Sequence, residues 1–422
     1  MPGRLWVFLS GQRVGTLDER HGRLSFTYEA GAHAPLSVRL PLRAEPYDDA
    51  SCRSFFDNLL PEGSWRQSIC RQLRIDERDD FRLLAAIGAE CAGAVSLHAD
   101  PAWTPVRGVY RPTTEVELRR WVLNPAARPA LQSSPGLRLS LAGAQDKLLL
   151  HFDGQTPCLC EGGAPSTVIL KPDIHDPANA IELSAFNERL SVCLARQCGI
   201  DAVDAFWYAG AYAVHRYDRV LRPDGWQRLH QEDFAQIAGV PAVAKYEEHG
   251  GPGWQQCFAI VDDWIAAPAA SRLQLLQRLF FNLCLGNNDA HAKNFALLHE
   301  LDGRRPRLAP AYDLLCTQVY GPLSKTMAMA IGGEADPTRL NRAAWAQFAK
   351  TSGFTITILQ RFAAQMAAQV AKALPDLLAR TEAAHPALKS DLYPARRRLA
   401  FFRRYAATVA GNGERLAASF AA

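Results

Sequence analysis

The sequence has little cysteine, and the cysteines that it has follow no familiar pattern. Ten are spread over 422 residues. The closest pairs, Cys158 with Cys160 and Cys193 with Cys198, lack the spacing of a zinc knuckle or a redox motif. No histidine cluster accompanies these pairs. We therefore expect reduced, mostly buried thiols and neither a disulfide scaffold nor a zinc finger.

Long apolar runs and a strong charge imbalance are also missing. No run approaches the ~20 residues of a membrane span, and the apolar stretch that begins at Leu5 is too short for a signal peptide. Lys and Arg number 47 against 43 Asp and Glu, and the net charge of +4 permits a polyanionic ligand without arguing for one. With 48% hydrophobic residues, the chain has the composition of a folded soluble protein. We expect a cytoplasmic protein that does not associate with membranes.

The spacing of apolar residues changes along the chain and suggests three domains. The apolar run Leu5–Leu9, the alternation at period two of Leu24, Phe26 and Tyr28, and the segment 37–42 predict strands in the first 42 residues, before helical spacing begins at Phe55. Three prolines between residues 99 and 112 predict a linker. The predicted domains are a β-rich segment, a second β-rich segment with one long helix, and a helical segment with one hairpin at 295–309; they span residues 1–105, 113–231 and 232–422.

The segment between Gly286 and Phe295 carries the most informative pattern. Asp289 and Asn294 stand five positions apart on a loop between an apolar helix and a hairpin, and Asp313 follows the hairpin. Phosphoryl transfer uses one carboxylate to accept the proton of the acceptor hydroxyl, and an amide oxygen with a second carboxylate to hold magnesium. Protein kinases space their base and their metal-binding Asn by the same five residues.

The order of these residues carries the prediction, because Asp and Asn are individually common in loops and helix caps. We predict that Asp289 is the base and that Asn294 and Asp313 are magnesium ligands. Lys293 is predicted near the transferred phosphoryl group, where it offsets negative charge.

A kinase also needs a strand lysine for the nucleotide phosphates. Lys171 ends the apolar run Val168–Leu170 ahead of a long helix, which is the kinase pattern. In kinases a helix glutamate holds this lysine, and Glu182 and Glu188 are both candidates. A strand-end lysine facing water is the alternative.

A phosphate-binding loop is the last requirement, and the signal for it is weak. Ala142, Gly143 and Ala144 lie between two strand signals, and such small residues let backbone N–H groups approach phosphate oxygens. The segment matches neither a Walker A loop nor G-x-G-x-x-G, so residue type alone favours a simple hairpin turn.

Taken together, these segments closely resemble the HipA toxins, which are serine/threonine kinases of type II toxin–antitoxin modules. The resemblance runs in consistent order from about residue 4 to about residue 330. The segments that carry it are Phe55–Pro61, Ser140–Lys147, Gly250–Gly253, Asn288–Asn294 and Tyr312–Asp313. It implies an α+β, two-lobed protein-kinase-like fold with an N-terminal β-rich subdomain and an all-helical C-terminal lobe.

The resemblance also implies roles for individual residues. Asp289 is the base, Lys171 the ATP lysine, and Asn294 with Asp313 the Mg²⁺ ligands. Ser140 matches a serine that family members phosphorylate on themselves, and a phosphate there would expel the nucleotide loop and silence the kinase. Further residues implied around the nucleotide are Gly143, Ala144, Gln145, Glu232, Asp233 and His291, with His291 holding the loop. The segment 245–253 falls in the family's activation-loop region.

Partners and substrate follow from the same resemblance. HipA-like kinases phosphorylate a serine of an aminoacyl-tRNA synthetase, commonly the glutamyl enzyme, which halts translation. A small helix-turn-helix antitoxin of the HipB kind binds them, and operator DNA is reached mainly through that antitoxin. The alternatives are a nucleotide-binding co-repressor that braces a DNA-bound antitoxin with little turnover, and a kinase with a small-molecule acceptor.

One basic patch stands apart from these motifs. Arg396–Arg398 and Arg403–Arg404 fall in a C-terminal helical segment. A solvated helix face explains the patch most simply, since Leu399, Phe402 and Val409 would face the core. Contact with nucleic-acid phosphates or with the antitoxin is the alternative.

Overall fold

The structure is a computed structural model that describes residues 3–104, 108–124, 145–174, 176, 178–300, 303–384 and 394–421. In chain order its strands are β1 (Arg4–Leu9), β2 (Gln12–Arg20), β3 (Arg23–Tyr28), β4 (Val95–His98), β5 (Val109–Pro112), β6 (Leu148–Asp153), β7 (Thr156–Glu161), β8 (Val168–Lys171), β9 (Ala205–Tyr208), β10 (Ala211–His215), β11 (Arg219–Arg222), β12 (Gly225–Arg228), β13 (Gln231–Asp233), β14 (Ala296–Leu298) and β15 (Arg307–Leu308). Its helices are α1 (Asp49–Asp57), α2 (Gly63–Leu73), α3 (Asp80–Ile87), α4 (Glu115–Leu123), α5 (Ser184–Gln197), α6 (Phe234–Ala238), α7 (Trp254–Trp264), α8 (Pro268–Leu285), α9 (Arg342–Ser352), α10 (Ile356–Ala383) and α11 (Ala395–Ala418).

The chain forms two compact units whose segments alternate along the sequence. The first unit contains residues 1–171, 215–244 and 296–309, and the second contains residues 172–214, 245–295 and 310–422. The hairpin predicted at 295–309 is present as β14 and β15, which pair antiparallel. The limits of the three domains expected from the sequence stay a prediction.

The N-terminal part of the first unit is an antiparallel sheet covered by helices. Its strand order is β3-β2-β1-β4, and Leu24, Phe26 and Tyr28 of β3 are buried in alternation with more exposed neighbours. The side chains on that face pack with Phe55 and Phe56 of α1 in one core. Each buried aliphatic or aromatic side chain contributes roughly 1.5–3 kcal/mol to stability. The period-two pattern of the sequence therefore predicts this sheet correctly.

Two sequence predictions fail beside this sheet. The predicted strand at 37–42 is only an isolated bridge in which the Leu40 N–H donates to the Ser37 carbonyl at 3.0 Å, because Pro41 has no N–H to continue a ladder. The predicted linker contains β5, which pairs with β7. Its Pro112 lies on an edge strand, where the missing N–H leaves no partner unsatisfied.

The second sheet of the first unit leads to the predicted nucleotide lysine. Strands β5, β7, β6 and β8 lie side by side in that order, and Lys171 is the last residue of β8. Helix α4 lies between β5 and β6 in the chain and was not predicted. Its signal was a capping box, since the Thr114 hydroxyl accepts the Glu117 N–H and the Glu117 carboxylate accepts the Thr114 N–H.

A buried cluster of charges ties distant segments of the first unit together. Glu90, which follows α3, accepts from Arg216 at 3.2 Å and from Arg219 at 2.8 Å, and it also binds Arg228. Asp218 binds Arg216 at 2.7 Å and Arg219 at 3.0 Å. Burial raises the pKa of Glu90, but the three arginines outweigh it and hold that pKa well below its usual range. The cluster is therefore charged at neutral pH.

The second unit is mainly helical within the described residues. It contains α5 and α7–α11, together with the β9–β10 hairpin. Its core is rich in aromatic side chains, for example Trp345, Phe348 and Phe420. Over the described part of the chain no helix is both long and apolar enough to cross a membrane. The ten cysteines, all within the described residues, form no disulfide bond, and nine of them are buried, as expected from their spacing.

Candidate active site

The loop that carries Asp289 begins where α8 stops. Gly286 ends the helix in the left-handed region, with φ of 74°, as glycine does at many helix ends. A Cβ atom at Gly286 would lie 2.5 Å from the Asn412 side-chain nitrogen, so both the backbone conformation and the available space require glycine here. The chain leaves the helix abruptly, and the residues that follow are presented on a short loop.

Hydrogen bonds fix the backbone of this loop from two sides. The Asn287 side-chain oxygen accepts the Asp289 N–H at 3.2 Å. Thr317 accepts the Asn288 N–H at 2.9 Å and donates to the Gly286 carbonyl at 3.1 Å. The Asp289 side chain itself is exposed, so a carboxylate on a rigid backbone faces outward.

A single helical turn places Asn294 beside Asp289. The His291 N–H lies 2.8 Å from the Asp289 carbonyl and 3.0 Å from the Asn294 side-chain oxygen. The Asn294 N–H donates back to the His291 carbonyl at 2.9 Å, within the 3-10 turn Ala292–Asn294. The His291 N–H therefore joins the Asp289 backbone to the side chain of Asn294, and the residues predicted as base and metal ligand lie in one hydrogen-bonded segment.

Asp313 is brought to the same loop by its neighbours. The Tyr312 hydroxyl donates to the Lys293 carbonyl at 2.8 Å, and the Ala311 N–H donates to the Asp201 carbonyl at 2.8 Å. Asp313 is exposed and has a φ of 51°, a left-handed conformation that Asp tolerates better than most residues. Such conformations persist where the surrounding structure enforces them, often at functional sites.

The charges around the loop leave His291 neutral. Burial lowers the pKa of His291 well below its usual value, and the positive charges of Lys245 and Lys293 lower it further. Lys293 is buried as well. A buried neutral imidazole in the turn fits the predicted structural role of His291 better than a role in proton transfer.

Tyr246 contacts the predicted base, and no sequence motif predicts this contact. Its hydroxyl donates to Asp289 Oδ1 at 2.7 Å. Its ring packs edge-on against His291, with centroids 5.3 Å apart. Glu247 anchors the same segment, because its carboxylate accepts the Ala330 N–H at 2.6 Å. Tyr246 lies in the segment 245–253, which the resemblance places in the activation-loop region.

The predicted nucleotide residues in the first unit differ in what their side chains do. Lys171 is 8% exposed, so it is not a strand-end lysine facing water. Glu232 is fully buried and accepts the Val38 N–H at 3.2 Å. The Asp233 carboxylate caps α6 by accepting the Gln236 N–H at 2.8 Å. Gln145 is half-buried ahead of β6, whereas Ser140, Gly143 and Ala144 lie outside the described residues.

The two candidate helix glutamates have different surroundings within the second unit. Glu182 binds Arg397 at 2.6 Å and Arg404 at 2.9 Å. Glu188 lies on α5 and is buried. The basic patch is therefore only partly a solvated face, because two of its arginines pair with Glu182 and a third, Arg398, is buried.

Comparisons with known proteins bear on both parts of the chain. A family model described as the HipA-like C-terminal domain matches residues 139–377, and the HipA N-terminal domain model matches residues 5–98. The chain is 36% identical over 425 residues to the protein Y4mE of Sinorhizobium fredii, with 97% of each chain covered. It is 28% identical over 362 residues to the serine/threonine-protein kinase toxin HipA of Shewanella oneidensis, covering 82% of this chain and 81% of that protein.

A solved structure agrees with these sequence matches. The complex of Shewanella oneidensis HipA with HipB and operator DNA contains a chain that matches this fold with a TM-score of 0.80, at 25% identity and with 97% of each chain covered. The fold and its relatives define a protein kinase of α+β architecture, as predicted. The chain belongs to the HipA family of serine/threonine-protein kinase toxins.

Proposed function

We propose that this chain is an ATP- and magnesium-dependent protein serine kinase in which Asp289 is the catalytic base. The observation that carries the proposal is the exposed Asp289 carboxylate on a backbone held by Asn287, within one turn of Asn294. The Tyr312–Lys293 hydrogen bond joins the segment of Asp313 to the same loop. The residues proposed as base and metal ligands thus lie in segments that hydrogen bonds join.

The reaction that fits these residues is transfer of the γ-phosphoryl group of ATP to a serine hydroxyl. The serine oxygen forms the new bond to phosphorus, the bond to the leaving ADP oxygen breaks, and the hydroxyl proton goes to Asp289. Lys293 offsets charge on the transferred group. Asn294 and Asp313 supply oxygen ligands, which Mg²⁺ prefers, and the ion neutralises phosphate charge when it is bound.

Nucleotide binding is assigned to the first unit. We assign Lys171 to the phosphates, together with the segment containing Gly143, Ala144 and Gln145. The side chains of Glu232 and Asp233 are engaged with Val38 and Gln236, and the Asp233 N–H also donates to the Gln236 side chain, so the adenine is assigned to the remaining backbone groups of the segment 231–233. The position of β13 supports this assignment. The strand pairs with β14 on one side and forms the edge of the sheet on the other. Of the two candidate glutamates, Glu188 is assigned to the kinase pattern, since it lies on α5, whereas Glu182 lies ahead of the helix and is paired with arginines.

The acceptor proposed from family membership is a serine of an aminoacyl-tRNA synthetase, first the glutamyl enzyme. Ser140 is proposed as the site of inhibitory autophosphorylation, since a phosphate there adds nearly two negative charges beside the nucleotide phosphates. Incubation of the purified kinase with labelled ATP and each synthetase in turn tests the acceptor. Label in one synthetase supports the assignment, and label in none contradicts it.

The partner proposed is a small helix-turn-helix antitoxin, with operator DNA bound through it. The support is the Shewanella oneidensis relative, whose structure was solved with HipB and its operator DNA. The same observation favours a second candidate function, a nucleotide-binding co-repressor with little turnover. The two functions separate by turnover, because a co-repressor has no use for the Asp289 base and would occupy operator DNA equally well as an Asp289→Asn variant.

Tyr246→Phe is expected to raise kcat/KM for the protein acceptor by roughly three- to tenfold, the equivalent of about 1 kcal/mol for one hydrogen bond. The Tyr246 hydroxyl donates to Asp289 Oδ1, so it competes with an acceptor hydroxyl for this carboxylate and lowers its basicity. The measurement is initial rate against acceptor concentration at saturating ATP. Tyr208→Phe on β9 is the matched control in the same unit, with no expected change. A fall in the rate of correctly folded Tyr246→Phe would mean that the hydroxyl supports the base.

A further inference from the structure

Three side chains with metal-binding chemistry meet in the first unit, away from the catalytic loop. His230 immediately precedes β13, Glu232 lies on β13, and His299 immediately follows β14. Residues i and i+2 of an extended chain share a face, so His230 and Glu232 point the same way. The His299 N–H donates to the His230 carbonyl at 2.8 Å, which places His299 opposite His230 on that face.

The ligand atoms of the three residues are close enough to bind one ion. They all lie within 4.8 Å of one another, and His299 Nε2 is 3.0 Å from Glu232 Oε1. A divalent first-row metal bonds N and O ligands at about 2.0–2.2 Å, which sets ligand atoms roughly 3–3.5 Å apart. An ion bound by all three residues would take the place of the hydrogen bond between His299 and Glu232.

One ring nitrogen of His230 is available to a ligand. Its Nε2 lies 2.8 Å from the Leu36 carbonyl, and because a carbonyl only accepts, Nε2 carries the proton. Nδ1 then presents a lone pair, and it has no hydrogen-bond partner among the described residues. The residue is 8% exposed, so an acceptor atom with no donor is buried there, which ordinarily lowers stability.

The surroundings of the cluster match those of known metal sites. A ligating histidine usually donates its other ring N–H to a carbonyl or carboxylate, and a ligating carboxylate is itself hydrogen-bonded. Here Leu36 accepts from His230, and the Val38 N–H lies 3.2 and 3.3 Å from the two Glu232 oxygens. His299 keeps a side-chain exposure of 25%, which leaves an entry path and room for a water ligand.

We propose that His230, Glu232 and His299 form a binding site for a divalent transition-metal ion, with Zn²⁺ as the preferred probe. Two imidazoles and one carboxylate suit zinc and its neighbours. Mg²⁺ prefers six oxygen ligands and does not suit this set. The ion links β13 and β14 to the segment of Leu36 and Val38, and its proposed role is to fix that segment against the strand whose backbone is assigned to the adenine.

The test is a metal titration of the full-length chain after treatment with a chelator. Isothermal titration is expected to show one tight equivalent of Zn²⁺ that excess Mg²⁺ does not displace. Co²⁺ in place of Zn²⁺ is expected to give d–d absorption bands without the charge-transfer band of a cobalt–thiolate bond. Absence of a tight equivalent, or a thiolate band from one of the cysteines, overturns the proposal.

His299→Gln is the variant that tests the ligands, because the partly exposed side chain is replaced without emptying the core. Zn²⁺ affinity is expected to fall by at least about 100-fold, because the loss of a hydrogen-bond partner of a metal ligand alone lowers metal affinity by up to that factor. His33→Gln is the matched control, an exposed histidine of the same unit outside the cluster, and should bind as wild type does. Equal affinity in His299→Gln overturns the proposal. Neither readout depends on kinase activity, so the outcome is independent of the proposed function.

Discussion

Asp289→Asn is expected to lower the rate of γ-phosphoryl transfer by about 10²–10⁴-fold, the usual contribution of a positioned general base. The amide has nearly the shape of the carboxylate but cannot accept the acceptor proton. The backbone of the loop is held by Asn287, Thr317 and Asn294, and none of these contacts uses the Asp289 side chain. The measurement is a single-turnover rate with labelled ATP and excess enzyme.

The control for this variant is a second exposed aspartate of the same unit. Asp263→Asn on α7 removes an equal charge and should leave the rate within twofold, by the small effect of a remote surface charge. Both variants should bind ATP and unfold as the wild type does, because the nucleotide residues lie elsewhere. A rate for Asp289→Asn within about tenfold of wild type would remove Asp289 from the role of base.

Glu90→Gln is expected to destabilise the first unit by about 3–5 kcal/mol, the range for removing one partner of a buried ion pair. Glu90 is the acid that Arg216, Arg219 and Arg228 share. Without its charge the cluster keeps three cations and one anion, Asp218, in a buried site. Hydrogen exchange followed by mass spectrometry is the measurement, with loss of protection expected in β1–β4 and little change in α10 and α11.

An exposed ion pair provides the contrast. Arg4 Nε lies 2.7 Å from Asp18 Oδ1, but half of the arginine side chain is exposed, so Asp18→Asn should change the unfolding free energy by less than about 1 kcal/mol. Equal effects of Glu90→Gln and Asp18→Asn would contradict the claim that burial gives the cluster its importance.

The same cluster predicts a direction for acid unfolding. Burial raises the pKa of Asp218, but Arg216 and Arg219 lower it to about 2, and Glu90 is lowered too. Such a carboxyl group has a lower pKa in the folded protein than in the unfolded chain, where it is about 4. It stabilises the folded protein fully above the unfolded pKa, and this contribution is lost as the pH falls through the folded pKa. The difference in unfolding free energy between wild type and Glu90→Gln should therefore narrow below about pH 4. A difference that stays constant down to pH 2 would contradict this.

The sequence predicted what depends on local order. The alternation in β3 and the helix before Gly286 depend on neighbouring residues, and the structure has both as expected. The roles of Asp289 and Asn294, which rest on their five-residue spacing, stay a prediction. The strand predicted at 37–42 was wrong for an equally local reason, since Pro41 interrupts it. Its backbone serves distant groups instead, for example the Glu232 carboxylate.

The remaining features join residues that are far apart in sequence. Arg216 meets Glu90 across 126 positions, Arg404 meets Glu182 across 222, and Tyr246 meets Asp289 across 43. No periodicity or motif predicts such pairs, because in the sequence each residue resembles an ordinary surface or loop residue. The choice between Glu182 and Glu188 stayed open for the same reason, and the structure narrows it by giving Glu182 two arginine partners.

Peptide mapping by mass spectrometry, after incubation of the wild-type chain with ATP and Mg²⁺ beside Asp289→Asn, tests the proposed activity most directly. The expected result is a phosphate on a serine of the wild type, at Ser140 by the family resemblance, and none on the variant. A wild-type chain that binds ATP yet phosphorylates neither itself nor glutamyl-tRNA synthetase would contradict the assignment of an active serine kinase and favour the co-repressor.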